Sequence, residues 1–255
     1  MVEALANSFH LAKHEVSQRF WKAESWLGCD VELHKAQDGR LYLCDLGRFF
    51  PPAVPRPGRD QLDALTCQLR PEFLQRWQGP RLSADTFSSF VSSESDAPHR
   101  VVLKDAFFNG LLGQTVRTLV SALNGNWNEA NQGDESLLTD FDRTCKSNPI
   151  DLVHSYGVNH RYLGVVLRCS SPACNRLVQL LLLQEMTVRC INGRLRRLFR
   201  RVNESGRGGS SHEPQPRDDL AFSRIAEHFL GAVFDPQDRL SYWSHVLPHD
   251  LQQKF

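Results

Sequence analysis

The most concentrated charge in the chain is a group of six arginines near position 195, at Arg189, Arg194, Arg196, Arg197, Arg200 and Arg201. Across residues 185–201 they meet one acid, Glu185, which leaves a local excess of five positive charges. Guanidinium groups at helical spacing can neutralise several RNA phosphates, and they can also contact anionic lipid head groups or acidic protein surfaces. The alternative is a solvated helix face, since cations are favoured near a helix C-terminus. Phe199 is the one aromatic residue among them, which argues against a platform for stacked bases.

Asp45 is a second candidate, because LYLCDLG places it after a predicted strand, as the metal-binding aspartate of a kinase D-F-G motif is placed. An active kinase also needs a glycine-rich loop, a phosphate-pairing lysine and a catalytic loop upstream, and the 44 preceding residues contain none of them. We expect Asp45 to pair with Arg48 or to accept backbone N–H groups. The alternative is a degenerate phosphotransferase-like fold that binds a nucleotide and Mg²⁺ through Asp45, with Lys13, Lys22 or Lys35 nearby.

A third candidate is a polar cluster within nine residues, made of His154, Asn159, His160, Arg161 and Tyr162. It could form a site with an anion contact through Arg161. The structural interpretation is the stronger one: Gly157 is expected to cap the end of one helix, and Asn159 the start of the next. Tyr162 and Leu163 would then pack in the core. The two histidines have no carboxylate or Cys/His partner at metal spacing, so we expect no metal site.

Enzymatic motifs are absent from the sequence. It has no G-x-S-x-G, G-x-x-x-x-G-K-[ST], H-E-x-x-H or G-x-G-x-x-G pattern. Its seven cysteines include no Cys-x-x-Cys pair, and we expect them to be reduced thiols of a cytoplasmic protein. The sequence therefore predicts a protein that is not an enzyme and that needs no cofactor.

The elements that position these residues begin with apolar residues at helical spacing from Leu5 to Phe20, which predict an amphipathic helix. Two alternating segments, DVELHKA and LYLCDL, flank Asp38 and Gly39 and predict a β-hairpin, in which both residues supply turn chemistry. The prolines that follow predict an extended connection, and a helix is expected to begin at Pro71.

Helical patterns dominate the rest of the chain. They predict a helix over residues 104–123 that stops at 124–126, another before Gly157, and one long helix or two joined at Gly193 over residues 172–201. Residues 203–219 are rich in Gly, Ser and Pro and predict a flexible loop, followed by helical periodicity to the end. We predict one α+β domain over residues 1–255, mostly helical with one prominent antiparallel β-hairpin.

Charge and hydropathy exclude two classes of partner at the level of the whole chain. Thirty basic and 29 acidic residues give a net charge of +1, so no global field favours a nucleic acid or a membrane. The most apolar stretch, residues 177–183, is far shorter than the roughly 20 residues that span a bilayer. We predict no membrane span, and only local charge clusters can support a partner.

Four stretches in order resemble the central domain of the clustered-mitochondria (Clu) family: DGRLYLCDLGRFFPP at 38–52, LRPEF at 69–73, HSYGVNHRYLG at 154–164 and EMTVRCINGRLRRLFR at 185–200. The tail from Ala226 is similar to the C-terminal part of that domain. The positions that carry the family motifs are Asp38, Gly39, Arg40, Asp45, Arg48, Pro51, Pro52, His154, Gly157, Asn159, Arg161, Tyr162 and Gly164.

The resemblance implies a non-enzymatic factor for the cytosolic distribution of mitochondria, linked to RNA and to translation. It implies mRNA, ribosome-associated proteins and initiation factor 3 as partners. Full-length members also carry a ubiquitin-like region and tetratricopeptide repeats, for which 255 residues leave no room. We therefore expect a stand-alone paralogue, a fragment or a truncated product, which acts as a scaffold whose contact surface is the arginine-rich helix.

Overall fold

The computed structural model describes residues 2–18, 21–57, 60–130, 149–170, 176–205, 219–234 and 241–255. Within them helices predominate, so the predicted class, α+β and mostly helical, is confirmed. The strands form two antiparallel hairpins rather than the single prominent one predicted. The described residues divide into two compact units, the first reaching His160 and the second beginning at Arg161. The single domain over residues 1–255 stays a prediction.

The first unit begins with helix α1 (Val2–Ser8) and four short strands, β1 (His14–Gln18), β2 (Trp21–Ser25), β3 (Glu32–Lys35) and β4 (Leu41–Cys44). The helix predicted over residues 5–20 is therefore wrong beyond Ser8. The chain leaves the helical conformation at His10, whose φ is 57°. Leu11 and Val16 are buried, but from an extended backbone. The buried apolar residues of α1 are followed along the sequence by those of β1. Their combined spacing therefore resembled that of one longer helix.

Strand β1 receives backbone partners on both sides, which explains why it is extended. On one side it pairs with β2 in the register His14↔Ser25 to Gln18↔Trp21. On the other side, the Ser17 N–H donates to the Phe90 carbonyl at 2.8 Å. Just before the strand, the Ala12 N–H donates to the Leu82 carbonyl at 2.8 Å. The segment 82–90 is thereby fixed beside β1.

The second hairpin, β3 with β4, confirms the predicted turn. Gly39 has a φ of 82°, a conformation that costs glycine little, and its N–H donates to the Ala36 carbonyl at 3.0 Å. The Ala36 N–H donates to the Arg40 carbonyl at 2.9 Å, and Asp38 Oδ1 accepts the Arg40 N–H at 3.0 Å. Asp38, Gly39 and Arg40 thus form the tight connection between the strands.

The helical part of the first unit consists of a 3₁₀ turn (Leu46–Arg48), α2 (Asp60–Thr66), α3 (Pro71–Leu74), α4 (Ser93–Asp105), a π-helix (Ala106–Thr115), α5 (Val116–Ala130) and α6 (Pro149–Ser155). The helices predicted to begin at Pro71 and to precede Gly157 are confirmed. The stop predicted at 124–126 is wrong, because α5 continues to Ala130. A glycine inside a helix costs only about 1 kcal/mol relative to alanine, so Gly125 does not end it.

The second unit contains α7 (Leu163–Ser170), α8 (Arg176–Ser205), α9 (Asp219–Phe234), a π-helical turn (Tyr242–Val246) and α10 (Leu247–Lys254). A 3₁₀ turn, His160–Tyr162, stands at the boundary of the units. Helix α8 runs through Gly193 without a break, so the single long helix is confirmed. Residues 203–205 complete it, and residues 206–218 of the predicted flexible loop lie outside the described residues. The core of this unit consists of Cys190, Phe229, Val233, Tyr242 and Leu247.

Candidate functional site

The structure brings the first two family-like stretches together. The Leu69 N–H donates to the Pro51 carbonyl at 2.8 Å, and Pro52 forms an isolated antiparallel bridge with Gln68. The Gln68 side chain accepts the Phe50 N–H at 3.0 Å and donates to the carbonyl of Gly47. The stretch 38–52 is thus joined by backbone and side-chain hydrogen bonds to the beginning of LRPEF.

The third family-like stretch packs on the second through Gly157. Gly157 has a φ of 79°, and a Cβ built there would lie 2.2 Å from the Phe73 nitrogen. Its N–H donates to the His154 carbonyl at 2.7 Å, and the Val158 N–H donates to the Val153 carbonyl at 3.1 Å. This arrangement ends α6 with a left-handed glycine, as predicted. Glycine is required because no side chain fits against Phe73.

Arg48 lies at the centre of a buried charged network. Its Nε donates to Asp30 Oδ2 at 2.7 Å, its Nη2 to Cys29 Sγ at 3.1 Å, and its Nη1 lies 3.6 Å from Asp85 Oδ1. The guanidinium carbon also lies 5.0 Å from the centroid of the Phe90 ring. The expected pairing of Arg48 with Asp45 is wrong, since Arg48 points to Asp30 and Asp85.

Two further residues of this network, His14 and Asp85, are completely buried. His14 Nε2 lies 2.8 Å from Asp85 Oδ2, and His14 Nδ1 lies 3.1 Å from the Ala12 carbonyl oxygen. A carbonyl and a carboxylate both accept hydrogen bonds, so each ring nitrogen of His14 faces an acceptor. Asp85 also accepts the Cys29 N–H at 2.9 Å. Arg48 therefore lies between two carboxylates, Asp30 and Asp85, and His14 contacts the second of them.

The thiol of Cys29, in contact with this network, is a poor nucleophile. Burial and the charge of Asp85 raise its pKa, Arg48 offsets only part of this, and the resulting pKa is about 11. The reactive form of cysteine is the thiolate, which is scarce at neutral pH when the pKa is so high. The arrangement therefore does not activate the Cys29 thiol as a nucleophile.

We expect iodoacetamide at pH 8 to alkylate Cys29 about a hundredfold more slowly than a thiol of ordinary pKa, because the raised pKa leaves a hundredfold less thiolate. The exposed Cys44 is the reference within the same chain. Peptide mass spectrometry over time measures both rates, which should become similar in urea. Because the folded state disfavours the thiolate, the stability contributed by the neutral thiol should fall as the pH rises from about 9 towards 11. Equal rates in the folded protein would contradict the buried thiol.

Asp45 occupies the corner that follows β4. Its φ of 50° is left-handed, and its side chain forms no capping hydrogen bond with the 3₁₀ turn that it precedes. Two of the lysines considered as its nucleotide-binding companions are paired on the first hairpin, Lys13 with Glu24 and Lys22 with Glu15 at 3.0 Å. Among the residues that the structure describes, no group of three or more His, Cys, Asp or Glu side chains could hold a metal ion.

The polar cluster around His154 is divided between the two units. In the first unit His154 Nε2 and His160 Nδ1 are 3.2 Å apart, and their ring centroids are 3.9 Å apart. Burial raises the pKa of the neighbouring Glu72, but the hydrogen bond and charge of Arg70, with the charge of His154, lower it overall. Asn159 directly precedes the 3₁₀ turn, in the position expected of a cap.

The remaining motif residues, Arg161, Tyr162 and Gly164, belong to the second unit. Leu163 is fully buried, in agreement with the predicted core packing, whereas Tyr162 is only half-buried. A Cβ on Gly164 would lie 2.7 Å from the carbonyl oxygen of Phe255. Gly164 therefore provides a close approach between α7 and the residue that follows α10, which is a structural role.

The six arginines between residues 189 and 201 form two rows along α8. Arg189, Arg196 and Arg200, separated by seven and four residues, follow one side, while Arg194, Arg197 and Arg201, separated by three and four, follow another. Arg189 donates to Glu185 within its own helix at 2.5 Å. In the second row, Arg194 and Arg197 both approach Asp250 of α10, at 3.3 and 3.7 Å. The six arginines therefore lie on two sides of α8.

Helix α10 also adds a cation that sequence reasoning missed. Lys254 Nζ donates to the Arg189 carbonyl at 2.6 Å, and Gly193 provides the space beside it. Burial lowers the pKa of Lys254, and the nearby arginines lower it further, although Cys190 opposes this. We call the six arginines and Lys254 the basic surface. The positive charge of Lys254 and the negative charge of Asp250 cancel. The excess on the basic surface is therefore still the five positive charges counted from the sequence.

Asp250 and Lys254 could not be assigned to this surface from spacing within α8, because they lie about 50 residues further along the chain. The available signal was their separation of four residues, which places both on the same side of a helix. No helix in the described part of the chain is long and apolar enough to cross a membrane.

Comparison with known proteins identifies two segments. Residues 1–55 match the family model for clustered mitochondria, and residues 148–211 match the family model for translation initiation factor eIF3 subunit 135. The first segment contains α1, both hairpins and Arg48, and the second contains α6, α7 and the arginines of α8. Neither a curated protein nor a solved structure matches the chain. The resemblance to the clustered-mitochondria family is therefore confirmed, and the matched segment lies at the N-terminal end of this chain, over residues 1–55.

Proposed function

We propose that this protein is a non-enzymatic cytosolic scaffold that links the distribution of mitochondria to translation, and that its basic surface contacts RNA. The observation that carries the proposal is the position of the second family match. Residues 148–211, which match the model for eIF3 subunit 135, contain all six arginines of the basic surface. The N-terminal match to clustered mitochondria supports the other half of the role.

The geometry of the basic surface supports contact with phosphates rather than with bases. Arg196 and Arg200 are exposed and lie one helical turn apart, so both guanidinium groups can approach one nucleic-acid backbone. Arginine binds phosphate oxygens in bidentate fashion, and this interaction does not depend on the base sequence. We expect initiation factor 3, ribosome-associated proteins or mRNA-bound complexes as the partners that such a scaffold would meet.

The absence of catalysis is supported by the state of the buried polar groups. His14, Arg48, Asp30 and Asp85 satisfy one another's charges, and Cys29 keeps its proton. A general base or nucleophile needs a pKa near the working pH and access to substrate. The side chains of His14 and Asp85 are completely buried and Cys29 keeps its proton, which favours a structural role.

We expect the purified chain to bind a fluorescent single-stranded RNA with an affinity that falls steeply between about 50 and 200 mM salt, because each phosphate contact releases counterions. Replacing Arg196 and Arg200 with glutamine should weaken binding about tenfold and make the slope of log K against log salt shallower by about 1.4, at roughly 0.7 for each contact. Fluorescence anisotropy measures both quantities.

The matched control replaces Lys35 and Arg40 with glutamine, since both are exposed on the second hairpin and their loss changes the net charge equally. This variant should bind RNA as the wild type does. No binding at low salt, or equal losses in both double variants, would refute the proposed contact and leave a scaffold that recognises proteins.

A further inference from the structure

Asp250 is held against the basic surface by the core of the second unit. Leu247 packs with Cys190 and Tyr242 in that core, and this fixes the first turn of α10 beside α8. At the other end of α10, Lys254 donates to the Arg189 carbonyl at 2.6 Å. The Asp250 side chain, which is 13% exposed, is therefore positioned by its helix.

The carboxylate of Asp250 is shared by two arginines at distances longer than those of strong ion pairs. Its Oδ2 lies 3.3 Å from Arg194 and 3.7 Å from Arg197, whereas charge-assisted hydrogen bonds are typically about 2.7–2.9 Å. The side chains of Arg194 and Arg197 are 39% and 59% exposed. Both guanidinium groups are thus accessible to a second anion, while Asp250 already lowers the positive potential around them.

We propose that Asp250 is an intramolecular competitor for the phosphate groups of RNA. Its carboxylate lies where a phosphate oxygen would approach Arg194 and Arg197, so the second row of arginines binds RNA below its full strength. Asp250 contacts the second row, through Arg194 and Arg197, whereas in the first row Arg189 pairs with Glu185 of its own helix. The inference rests on the proposed function, and it identifies α10 as the element that sets the affinity of the surface.

Replacing Asp250 with asparagine should tighten RNA binding about fivefold, since a unit charge at this distance in water changes the energy by roughly RT ln 5. The salt slope should become steeper by about 1.4, as two arginines become fully available to phosphates. Anisotropy at the two salt concentrations measures both changes, and thermal unfolding establishes that the variant is folded.

The control Glu227→Gln removes the same charge from an exposed acid of α9 in the same unit. If it tightens binding as much as Asp250→Asn does, the effect reports net charge and the inference is overturned. A second test places Asp250→Asn in a protein that already carries Arg194→Gln and Arg197→Gln. The substitution should then have no effect on affinity, because the groups that it releases are gone.

Heparin chromatography separates failure of this inference from failure of the proposed function. The Asp250→Asn variant should leave the column at a higher salt concentration than the wild type, whether or not RNA binds. A wild type without RNA affinity, combined with this shift, would refute the RNA contact and retain the competition by Asp250 for polyanions. Identical elution of the two proteins, with identical RNA binding, would overturn the inference.

Discussion

Replacing Asp85 with asparagine is expected to lower the free energy of unfolding by about 3–5 kcal/mol, because removing one member of a buried ion pair leaves its partner's charge uncompensated. Here both Arg48 and His14 lose a partner. His14 Nε2 lies 2.8 Å from Asp85, and Arg48 Nη1 lies 3.6 Å from it. Domains of this size commonly have only about 5–15 kcal/mol of stability in total, so the loss is large. Urea unfolding followed by circular dichroism measures it.

The control for this experiment is Asp38→Asn. Asp38 also pairs with an arginine, but its 3.5 Å contact to Arg40 is at an exposed turn. Exposed ion pairs contribute about 0–1 kcal/mol, so the control should change the stability little. Similar stabilities for the two variants would mean that the charges around Arg48 do not depend on Asp85.

Replacing Gly157 with alanine is expected to cost about 3 kcal/mol or more, from two additive causes. A left-handed conformation costs a residue with a Cβ roughly 1–2 kcal/mol, and Gly157 has a φ of 79°. The added carbon would also lie 2.2 Å from the Phe73 nitrogen and 2.6 Å from its Cα, so α3 or the end of α6 must move. Forcing extra atoms into a packed core typically costs a further 1–3 kcal/mol. Urea unfolding again provides the measurement.

Gly39→Ala separates the two causes. Gly39 has nearly the same φ, 82°, but no atom lies within 4 Å of a Cβ built there. This variant should therefore lose only the backbone part, roughly 1–2 kcal/mol. Equal losses at the two glycines would show that the contact between Gly157 and Phe73 contributes nothing to stability.

The sequence predicted the elements that short-range signals determine. Asp38 and Gly39 form the expected turn, Pro71 begins a helix, and Gly157 ends one, because each outcome depends on the φ preference of a single residue. The long basic helix was also predictable, since its periodicity extends over many turns.

The first 20 residues show where this reasoning fails. Apolar spacing alone could not distinguish one helix from a helix followed by a strand, because the partners that make β1 extended lie in β2 and in the segment near Phe90. Tertiary hydrogen bonds override local propensity in such a case.

The prediction of the charged contacts of the site was wrong for the same reason. Arg48 was expected to bind the nearest acid, Asp45, and it binds Asp30 and Asp85 instead. The chain between these residues folds back on itself, so proximity in sequence was no guide. The contact of Asp250 with Arg194 and Arg197 likewise could not be predicted from the sequence, because it forms only where α10 packs beside α8.

The charges around Arg48 restrict how this part of the sequence can change during evolution. A descendant that loses Asp85 alone leaves Arg48 and His14 without that carboxylate, and one that loses Arg48 alone leaves Asp30 and Asp85 without their shared cation. Both intermediates would be much less stable than the original protein, although a protein with a completely apolar replacement of the network could be as stable as the original. Single substitutions therefore cannot lead easily from one arrangement to the other. We therefore expect descendants to keep or to replace four residues as a set: His14, Asp30, Arg48 and Asp85.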